Sequence, residues 1–267
     1  MRQSPTHNRV NRKPGAVNVA GVGAANFVVN NFTMEFKDKK VVVAGGTSGI
    51  GLATARRFYE LGATVTVTGR DAEKLRSAES MGLTAAAVDS RERPALDRFF
   101  AEQGVVDHLV IAAGGSKGLG EFATLSLGEL REGFDAKFWA HLETLQAALP
   151  FLGAGGSVTL VTACSSAAKL PGTSGLGAMN GALEIMVPIL AREMKPIRIN
   201  AVSPGVVDTP WWDFIPKENK PAAFAQFTAN IPVGREAQPA ELADAIVFLA
   251  GNTYMTGQVV FCDGGIS

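Results

Sequence analysis

The chain has 267 residues, with 25 basic and 25 acidic side chains and a hydrophobic fraction of 46%. This length suits one large α/β domain or two small ones, and it can bury a core without disulfides or a structural metal. The balanced charge gives no electrostatic reason to expect nucleic acid or an anionic membrane as a partner. Cys164 and Cys262 are not at a paired spacing and the three histidines are scattered, so we expect free thiols, a reducing cytoplasmic location and no metal site.

Residues 1–34 differ in composition from the rest, because positions 1–33 contain basic side chains and no acidic one. Two interpretations are open: a targeting peptide, or a disordered extension upstream of a natural start at Met34. Asn18 and Asn26 interrupt the weakly apolar run, which is too polar for a membrane span. We favour the extension and expect the folded domain to occupy residues 35–267.

From Lys39 onward, short apolar runs alternate with stretches that have apolar residues at helical spacing. The runs that predict strands are 40–45, 64–69, 84–89, 106–115, 156–162, 197–205 and 258–265. The stretches that predict helices are 50–62, 72–82, 93–104, 126–152, 176–194 and 239–250. Strict alternation implies parallel strands joined by right-handed crossovers, with helices covering both faces. The expected fold class is α/β: a Rossmann-like, doubly wound parallel sheet of about seven strands in a single domain.

Residues 206–236 break the alternation and are longer than an ordinary connection, which predicts a functional flap. Its aromatic residues, Trp211, Trp212 and Phe214, suit the wall of an apolar substrate site. They suit a subunit interface equally well.

The segment "VVVAGGTSGIG" follows a predicted strand and opens a predicted helix. Glycines at such a turn allow close approach of a pyrophosphate, and the free amides and dipole of the helix N-terminus favour the anion. The strand–turn–helix context makes this pattern specific. The expected phosphate-binding residues are Gly45, Thr47, Ser48, Gly49, Ile50 and Gly51.

The glycine spacing resembles that of the short-chain dehydrogenase/reductase family, classical type, and the resemblance extends over residues 38–267. "IAAGG" resembles the segment after the fourth strand, without its two asparagines, and "RINAVSPGVVDTP" resembles the sixth strand with its turn beside the nicotinamide. The resemblance implies an NAD(P)-dependent oxidoreductase that forms a homodimer or homotetramer through its two longest helices. It also implies a further set of cofactor-binding residues: Asp89, Ala113, Gly114, Asn180, Pro204, Gly205, Val207 and Thr209.

The end of the second strand indicates which nucleotide is bound. A carboxylate there would bind a ribose 2′-hydroxyl and repel a 2′-phosphate, but this chain has Gly69 followed by Arg70. Because a guanidinium matches phosphate geometry, we expect NADP(H) to be favoured over NAD(H). The alternative is that Arg70 only pairs with Asp71 or Glu73 at a solvated turn.

The family's proton relay uses a tyrosine, a lysine four residues later, a serine and an asparagine. In this chain the corresponding positions hold Leu176, Asn180, Ala163 and Lys137. Leucine cannot titrate and alanine cannot form a side-chain hydrogen bond, so the usual relay is missing. Lysine and asparagine are exchanged between two helices, which predicts that Lys137 replaces the lost lysine beside the cofactor. The alternative is that Lys137 points outward.

His141 is the other candidate proton donor, because it lies one helical turn after Lys137 and an imidazole titrates near neutral pH. Its alternative role is a packed helix residue. Weaker candidates are the hydroxyl and thiol groups of Ser116, Cys164, Ser165, Ser166 and Ser174. The chain has no Gly-x-Ser-x-Gly elbow, so a hydrolase has no support.

Two functions from different classes fit these residues. The first is a non-standard NADP(H)-dependent oxidoreductase that acts on a small apolar carbonyl or alcohol substrate, without nucleic-acid or membrane partners. The second is a catalytically inactive nucleotide-binding protein, either a redox sensor or a partner subunit of an active relative. A different reaction in the same pocket is conceivable, but no residue identifies one.

Overall fold

The structure is a computed structural model that describes residues 36–267, and the expectations for residues 1–34 lie outside the described residues. The strands are β1 Lys40–Ala44, β2 Thr64–Gly69, β3 Thr84–Ala87, β4 Val106–Ile111, β5 Leu152–Val161, β6 Arg198–Pro204 and β7 Val259–Cys262. The helices are α1 Gly49–Glu60, α2 Ala72–Ser80, α3 Arg93–Gln103, α4 Leu127–Phe134, α5 Ala140–Ala148, α6 Ser165–Ala168, α7 Ser174–Glu193, α8 Lys220–Thr228 and α9 Pro239–Gly251.

All seven strands form one parallel sheet in the order β3-β2-β1-β4-β5-β6-β7. The doubly wound, Rossmann-like fold expected from strand–helix alternation is therefore confirmed. The chain runs outward in opposite directions from β1 and β4, so these two neighbours form the switch point of the sheet. In such sheets a ligand binds in the crevice at the carboxyl ends of the strands next to this point.

Two apolar layers hold the sheet. On one face, Phe58 of α1 and Ile246 of α9 pack against Val43 and Val65. On the other face, Phe100 of α3 and Val187 of α7 pack with strand residues that include Leu109. All of these side chains are buried, and each such burial contributes about 1.5–3 kcal/mol to folding. Strands covered on both faces explain the continuous apolar runs in the sequence.

The predicted helix over 126–152 is interrupted. A π-helical turn, Asp135–Trp139, separates α4 from α5, and residues from Leu152 onward already belong to β5. Such π turns insert extra width into a helix and are frequent at functional sites. The turn contains Lys137, so the local geometry that presents this side chain is not that of a regular helix.

The flap predicted over 206–236 has structure of its own, because it contains α8 and a short 3₁₀ turn, Pro210–Trp212. Trp212 packs against Phe224 and Phe227 of α8, with ring centroids 5.7 and 5.1 Å apart. The flap is therefore a folded unit with a small aromatic core.

One helix within residues 36–267, α7, is long and apolar enough by length and composition to cross a membrane. Its buried residues include Met179, Leu183 and Val187, and Val187 packs in the apolar layer that contains Phe100. About a third of its apolar window is buried in the fold, 33% by residue.

Candidate cofactor and catalytic site

The glycine loop between β1 and α1 has the shape that a phosphate cradle requires. Gly45 has φ +76°, and a Cβ on it would lie 2.8 Å from the backbone of Ala112 and Ala113. A Cβ on Gly51 would lie 2.2 Å from the carbonyl oxygen of Gly45. The turn can therefore close only with glycine at both positions, and the N-terminus of α1 is left as an anion-binding end. These residues fit a dinucleotide.

The start of the flap lies over this loop. A Cβ on Gly49 would meet the Thr209 side chain at 3.3 Å, so Thr209 covers the phosphate cradle directly. Trp211 then donates a hydrogen bond from Nε1 to the Gly115 carbonyl, at 3.0 Å. The flap thus spans from the glycine loop to the turn after β4, across the crevice at the switch point. The other indole, Trp212, forms its hydrogen bond within the flap, because its Nε1 donates to the Val207 carbonyl at 2.9 Å.

The remaining predicted cofactor residues cluster at the same edge of the sheet. Ala113 and Gly114 form the turn after β4, and Pro204 ends β6. The Pro204 carbonyl accepts a hydrogen bond from the Cys164 backbone at 2.8 Å, which ties β6 to the loop after β5. Gly205 packs on the Asp263 backbone, and buried Val207 begins the flap. The structure therefore places these positions along one edge of the sheet, and their contact with a cofactor stays a prediction.

On the β2 side of the crevice, the strand ends at Gly69 and not at a carboxylate. A Cβ on Gly69 would lie 2.8 Å from Thr47 Oγ1, so any side chain at this position requires Thr47 to move. Arg70 does not pair with Asp71, whose carboxylate instead accepts the Glu73 and Lys74 backbone amides as the cap of α2. Its nearest acidic group is Asp89, with Nη1 3.8 Å from Oδ2.

A second arginine, Arg91, also meets Asp89. Its Nη2 lies 2.6 Å from Oδ2, and its Nε lies 3.0 Å from Oδ1. The Arg91 side chain holds the pKa of Asp89 below its usual range, so this carboxylate is ionised. Arg91 is not among the residues predicted from the sequence, and the only local signal for the pair is the spacing "DSR" at 89–91.

Lys137 is turned towards the sheet edge. Its Nζ donates to the Thr162 carbonyl at 3.1 Å, directly after β5, and its aliphatic chain passes Gly114. The outward orientation weighed from the sequence is therefore not observed. Burial lowers the pKa of Lys137 to about 8, and the Glu184 carboxylate partly opposes this by favouring the charged amine.

His141 lies behind Lys137. Its residue is fully buried, and its Nδ1 donates to the Lys137 carbonyl at 2.8 Å, since a carbonyl can only accept. Burial, followed by the charge of Lys137, lowers the pKa of His141 to about 3, so the ring is neutral near pH 7. The geometry does not support His141 as a proton donor to substrate, because its ring has no exposed surface. The geometry instead supports a structural role for His141, which holds the Lys137 backbone through this hydrogen bond.

Asn180, at the lysine position of the family, does not project into the crevice. It is 2% exposed, and its Nδ2 donates to the Leu176 carbonyl at 2.8 Å and to Ser165 Oγ at 3.2 Å. Its amide nitrogen is thus engaged inside the protein, and the cofactor contact expected of Asn180 stays a prediction. An asparagine is too short to replace a lysine that reaches from the same turn. Its amide nitrogen is satisfied within the protein, whereas its buried Oδ1 forms no hydrogen bond within residues 36–267.

Glu184 is a charged residue that the sequence did not single out. It lies one helical turn after Asn180 on α7, and its Oε1 accepts hydrogen bonds from Thr162 at 2.7 Å and Ser203 at 2.8 Å. Its Oε2 accepts from Ser166. Thr162 thereby contacts both charged groups of this region, with its carbonyl on Lys137 and its hydroxyl on Glu184.

A cavity of about 440 Å³ opens beside the N-terminal end of α7. It is lined largely by small and polar residues, among them Ser165, Ser166, Lys169 and Ser174, with Phe122 on one side. Its lining includes none of the flap tryptophans. Ser116, another weak candidate, is exposed on the turn after β4, and Cys164 is buried with its pKa raised by burial to about 11. The thiol is therefore protonated.

The sheet order, the glycine cradle and the crevice at the switch point define a dinucleotide-binding α/β protein of the oxidoreductase type. Comparison with known proteins makes the class specific. A family model described as enoyl-(acyl carrier protein) reductase matches residues 44–267. The oxidoreductase asL5 of Sarocladium schorii is 34% identical over 247 residues, which is 86% of this chain and 96% of the relative.

The 4-formylbenzenesulfonate dehydrogenase TsaC1/TsaC2 of Comamonas testosteroni is 32% identical, over 87% of this chain and 99% of the relative. Among solved structures, a small-chain dehydrogenase in complex with NADPH superposes with a TM-score of 0.77 at 29% identity, covering 86% of this chain and 99% of that one. The chain therefore belongs to the short-chain dehydrogenase/reductase family of oxidoreductases. The family binds a nicotinamide cofactor and acts on small molecules.

Proposed function

We propose that this protein is an NADP(H)-dependent oxidoreductase that interconverts a carbonyl compound and an alcohol, with Lys137 as the group that moves the proton. The observation that carries the proposal is the position of Lys137 Nζ, held by the Thr162 carbonyl at the carboxyl edge of the sheet and beside Gly114. A bound nicotinamide would supply the hydride. The side chains of this chain would supply binding, orientation and the proton.

Binding of the cofactor is assigned to the residues around the crevice. The glycine loop from Gly45 to Gly51 would hold the pyrophosphate at the N-terminus of α1, with Thr209 above it. Arg70 and the missing side chain at Gly69 would favour a 2′-phosphate over a free hydroxyl. The structural likeness to a dehydrogenase that contains NADPH supports this choice.

The amine of Lys137 suits proton transfer near neutral pH. Its pKa of about 8 is closer to physiological pH than that of an ordinary lysine, and a catalytic group works best when its pKa lies near the working pH. One of its three N–H groups binds the Thr162 carbonyl, which leaves two for a substrate oxygen. His141 and the π-helical turn fix the backbone from which this side chain extends.

The direct test is hydride transfer from deuterated NADPH to a panel of ketones, aldehydes and quinones, followed by mass spectrometry of the products. We expect deuterium in at least one product with wild-type protein, and about 10²–10⁴-fold less with Lys137→Met. Tight NADPH binding without transfer to any compound would contradict the proposal. It would favour the alternative of an inactive nucleotide-binding sensor or partner subunit.

The substrate would enter at the N-terminal end of α7, where hydroxyl groups and Phe122 line the cavity. This lining supports a substrate with polar groups as well as an apolar part, rather than the purely apolar wall suggested by the flap tryptophans. Exposed apolar residues on α7, Ile185 at 66% and Ile189 at 50%, support assembly into a homodimer or homotetramer. Light scattering of the wild type and of Ile185→Glu tests this assembly.

A further inference from the structure

Asp89 lies two residues beyond the end of β3 and carries the Arg91 guanidinium on both of its carboxylate oxygens. Arg91 Nε lies 3.0 and 3.2 Å from Oδ1 and Oδ2, and Nη2 lies 2.6 Å from Oδ2. The backbone amide of Arg91 also donates to Oδ1, at 3.0 Å. The Arg91 side chain is therefore held against Asp89 within a short loop and does not extend freely into solvent.

Arg70 approaches the same carboxylate from the end of β2, with Nη1 3.8 Å from Oδ2. Two positive charges and one negative charge thus meet at this edge, and the local charge is +2 − 1 = +1. Arg91 takes the short contacts with Asp89, so Arg70 is only loosely engaged. Within residues 36–267, Nη1 of Arg91 forms no hydrogen bond, because the contacts with Asp89 are made by Nε and Nη2.

The cluster of Arg70, Asp89 and Arg91 lies at the carboxyl ends of β2 and β3, and this position indicates which part of a dinucleotide it would face. In doubly wound sheets the residue at the end of the second strand contacts the adenosine ribose, and here that residue is Gly69. An unpaired Asp89 beside Arg70 would repel a 2′-phosphate and would compete for the Arg70 guanidinium. Arg91 neutralises the charge of the Asp89 carboxylate. The guanidinium groups of Arg70 and Arg91 then lie on either side of Asp89.

We propose that Arg91 is a second specificity-determining residue for the adenosine 2′-phosphate, acting with Arg70 and held in place by Asp89. The inference rests on the proposed function insofar as that function uses NADP(H), and it adds a residue and a role to it. Arg91 contributes a donor to the phosphate and neutralises Asp89, so its loss weakens 2′-phosphate binding in two ways. Binding of the nucleotide without this phosphate depends on it little.

The experiment uses two nucleotides that lack the nicotinamide, so hydride transfer is not required. The dissociation constants of adenosine 2′,5′-bisphosphate and adenosine 5′-monophosphate are measured by calorimetry for the full chain and its variants. We expect Arg91→Ala to lower the preference for the bisphosphate by about tenfold or more, with Arg91→Lys between the two. Arg98→Ala is the matched control, because it removes an exposed positive charge from the nearby helix α3; its preference should equal that of wild type.

The outcomes separate the inference from the proposed function. A wild-type preference that persists in Arg91→Ala and disappears in Arg70→Ala overturns the inference and leaves NADP(H) as the cofactor. A wild-type protein with no preference for the bisphosphate overturns the choice of cofactor, and with it the role of Arg91. Thermal unfolding of each variant in the absence of ligand establishes whether a loss of binding reflects a loss of fold, and Arg91→Lys repeats the test with the charge retained.

Discussion

The two halves of the crevice differ in how they relate to the rest of the family. On the β1–β3 side, the glycine cradle is built so tightly that a Cβ at Gly51 would meet the Gly45 carbonyl at 2.2 Å. On the β5–α7 side, the residues Leu176, Asn180 and Ala163 offer no titratable group where the family's relay would lie. The first side has the geometry that fits a dinucleotide, and the second has other residue types at the relay positions; we call this second side the replaced half.

The replaced half is organised and not merely eroded. Its charged groups are Lys137, in a π-helical turn beside α7, and Glu184, one turn beyond Asn180. Three hydroxyl groups from separate elements bind the Glu184 carboxylate, and Thr162 connects it to the Lys137 amine. A nucleotide site can therefore stay fixed by backbone constraints while the ionisable groups next to it are exchanged, because side chains are freer to change than a closed glycine turn.

The largest expected effect comes from adding a side chain to the glycine loop, which obstructs the phosphate-binding turn. Gly51→Ala should abolish measurable binding of NADPH, because the added Cβ cannot coexist with the Gly45 carbonyl. Alanine within a helix normally stabilises it by about 1 kcal/mol relative to glycine, so propensity alone predicts the opposite sign for stability. Calorimetric titration with NADPH measures the effect. Gly155→Ala is the control, since nothing lies within 4 Å of its Cβ; equal binding by both variants would contradict the cradle.

Removing the Lys137 amine from the replaced half should lower the rate of carbonyl reduction without changing the affinity for NADPH. Lys137→Met retains most of the side-chain volume and should lower carbonyl reduction by about 10²–10⁴-fold, the usual contribution of general acid catalysis. The dissociation constant of NADPH should stay within about threefold of wild type, since the glycine loop and Arg70 are untouched. Single-turnover kinetics and a binding titration measure the two quantities. Lys117→Met, which removes an exposed amine on the turn after β4, is the matched control.

Neutralising Glu184 should produce a smaller, pH-dependent effect. The Glu184 carboxylate raises the pKa of Lys137 against the effect of burial, so Glu184→Gln should lower that pKa below its present value of about 8. The reduction rate at pH 8 should then fall about two- to tenfold, with little change at low pH, where the amine remains protonated. Ser203→Ala removes a hydrogen bond to the same carboxylate without removing its charge. If this control moved the pH midpoint as far as Glu184→Gln does, the electrostatic role would be wrong.

The smallest effect is expected at the contact that joins the two halves. Trp211→Phe removes the hydrogen bond to the Gly115 carbonyl, a contribution of about 0.5–1.5 kcal/mol. NADPH should leave about two- to tenfold faster, as measured by stopped-flow fluorescence. Trp212→Phe removes a comparable bond inside the flap and should leave the release rate unchanged. Equal acceleration by both changes would indicate a loosened flap instead of a specific contact.

Much of the nucleotide half could be predicted from the sequence, because it depends on local patterns. Strand–helix alternation predicted the seven-stranded sheet, and the glycine spacing predicted the loop in its strand–turn–helix context. The replaced half depends on contacts between distant segments. No local pattern shows that Thr162, Ser166 and Ser203 converge on Glu184, or that a π turn interrupts the helix predicted over 126–152. Arg91 is intermediate, since its partner is only two residues away but its place at the nucleotide edge follows from the sheet order.

The most direct test of a retained nucleotide site with a replaced proton source is the pH dependence of single-turnover hydride transfer from NADPH in the wild-type protein. Lys137 must be protonated to donate, and its pKa is about 8. The rate should be constant below that value and fall about tenfold per pH unit above it, while NADPH affinity changes little. Loss of this dependence in Lys137→Met would accompany the lower rate. A wild-type rate that stays constant through pH 8–10 would contradict Lys137 as the proton source.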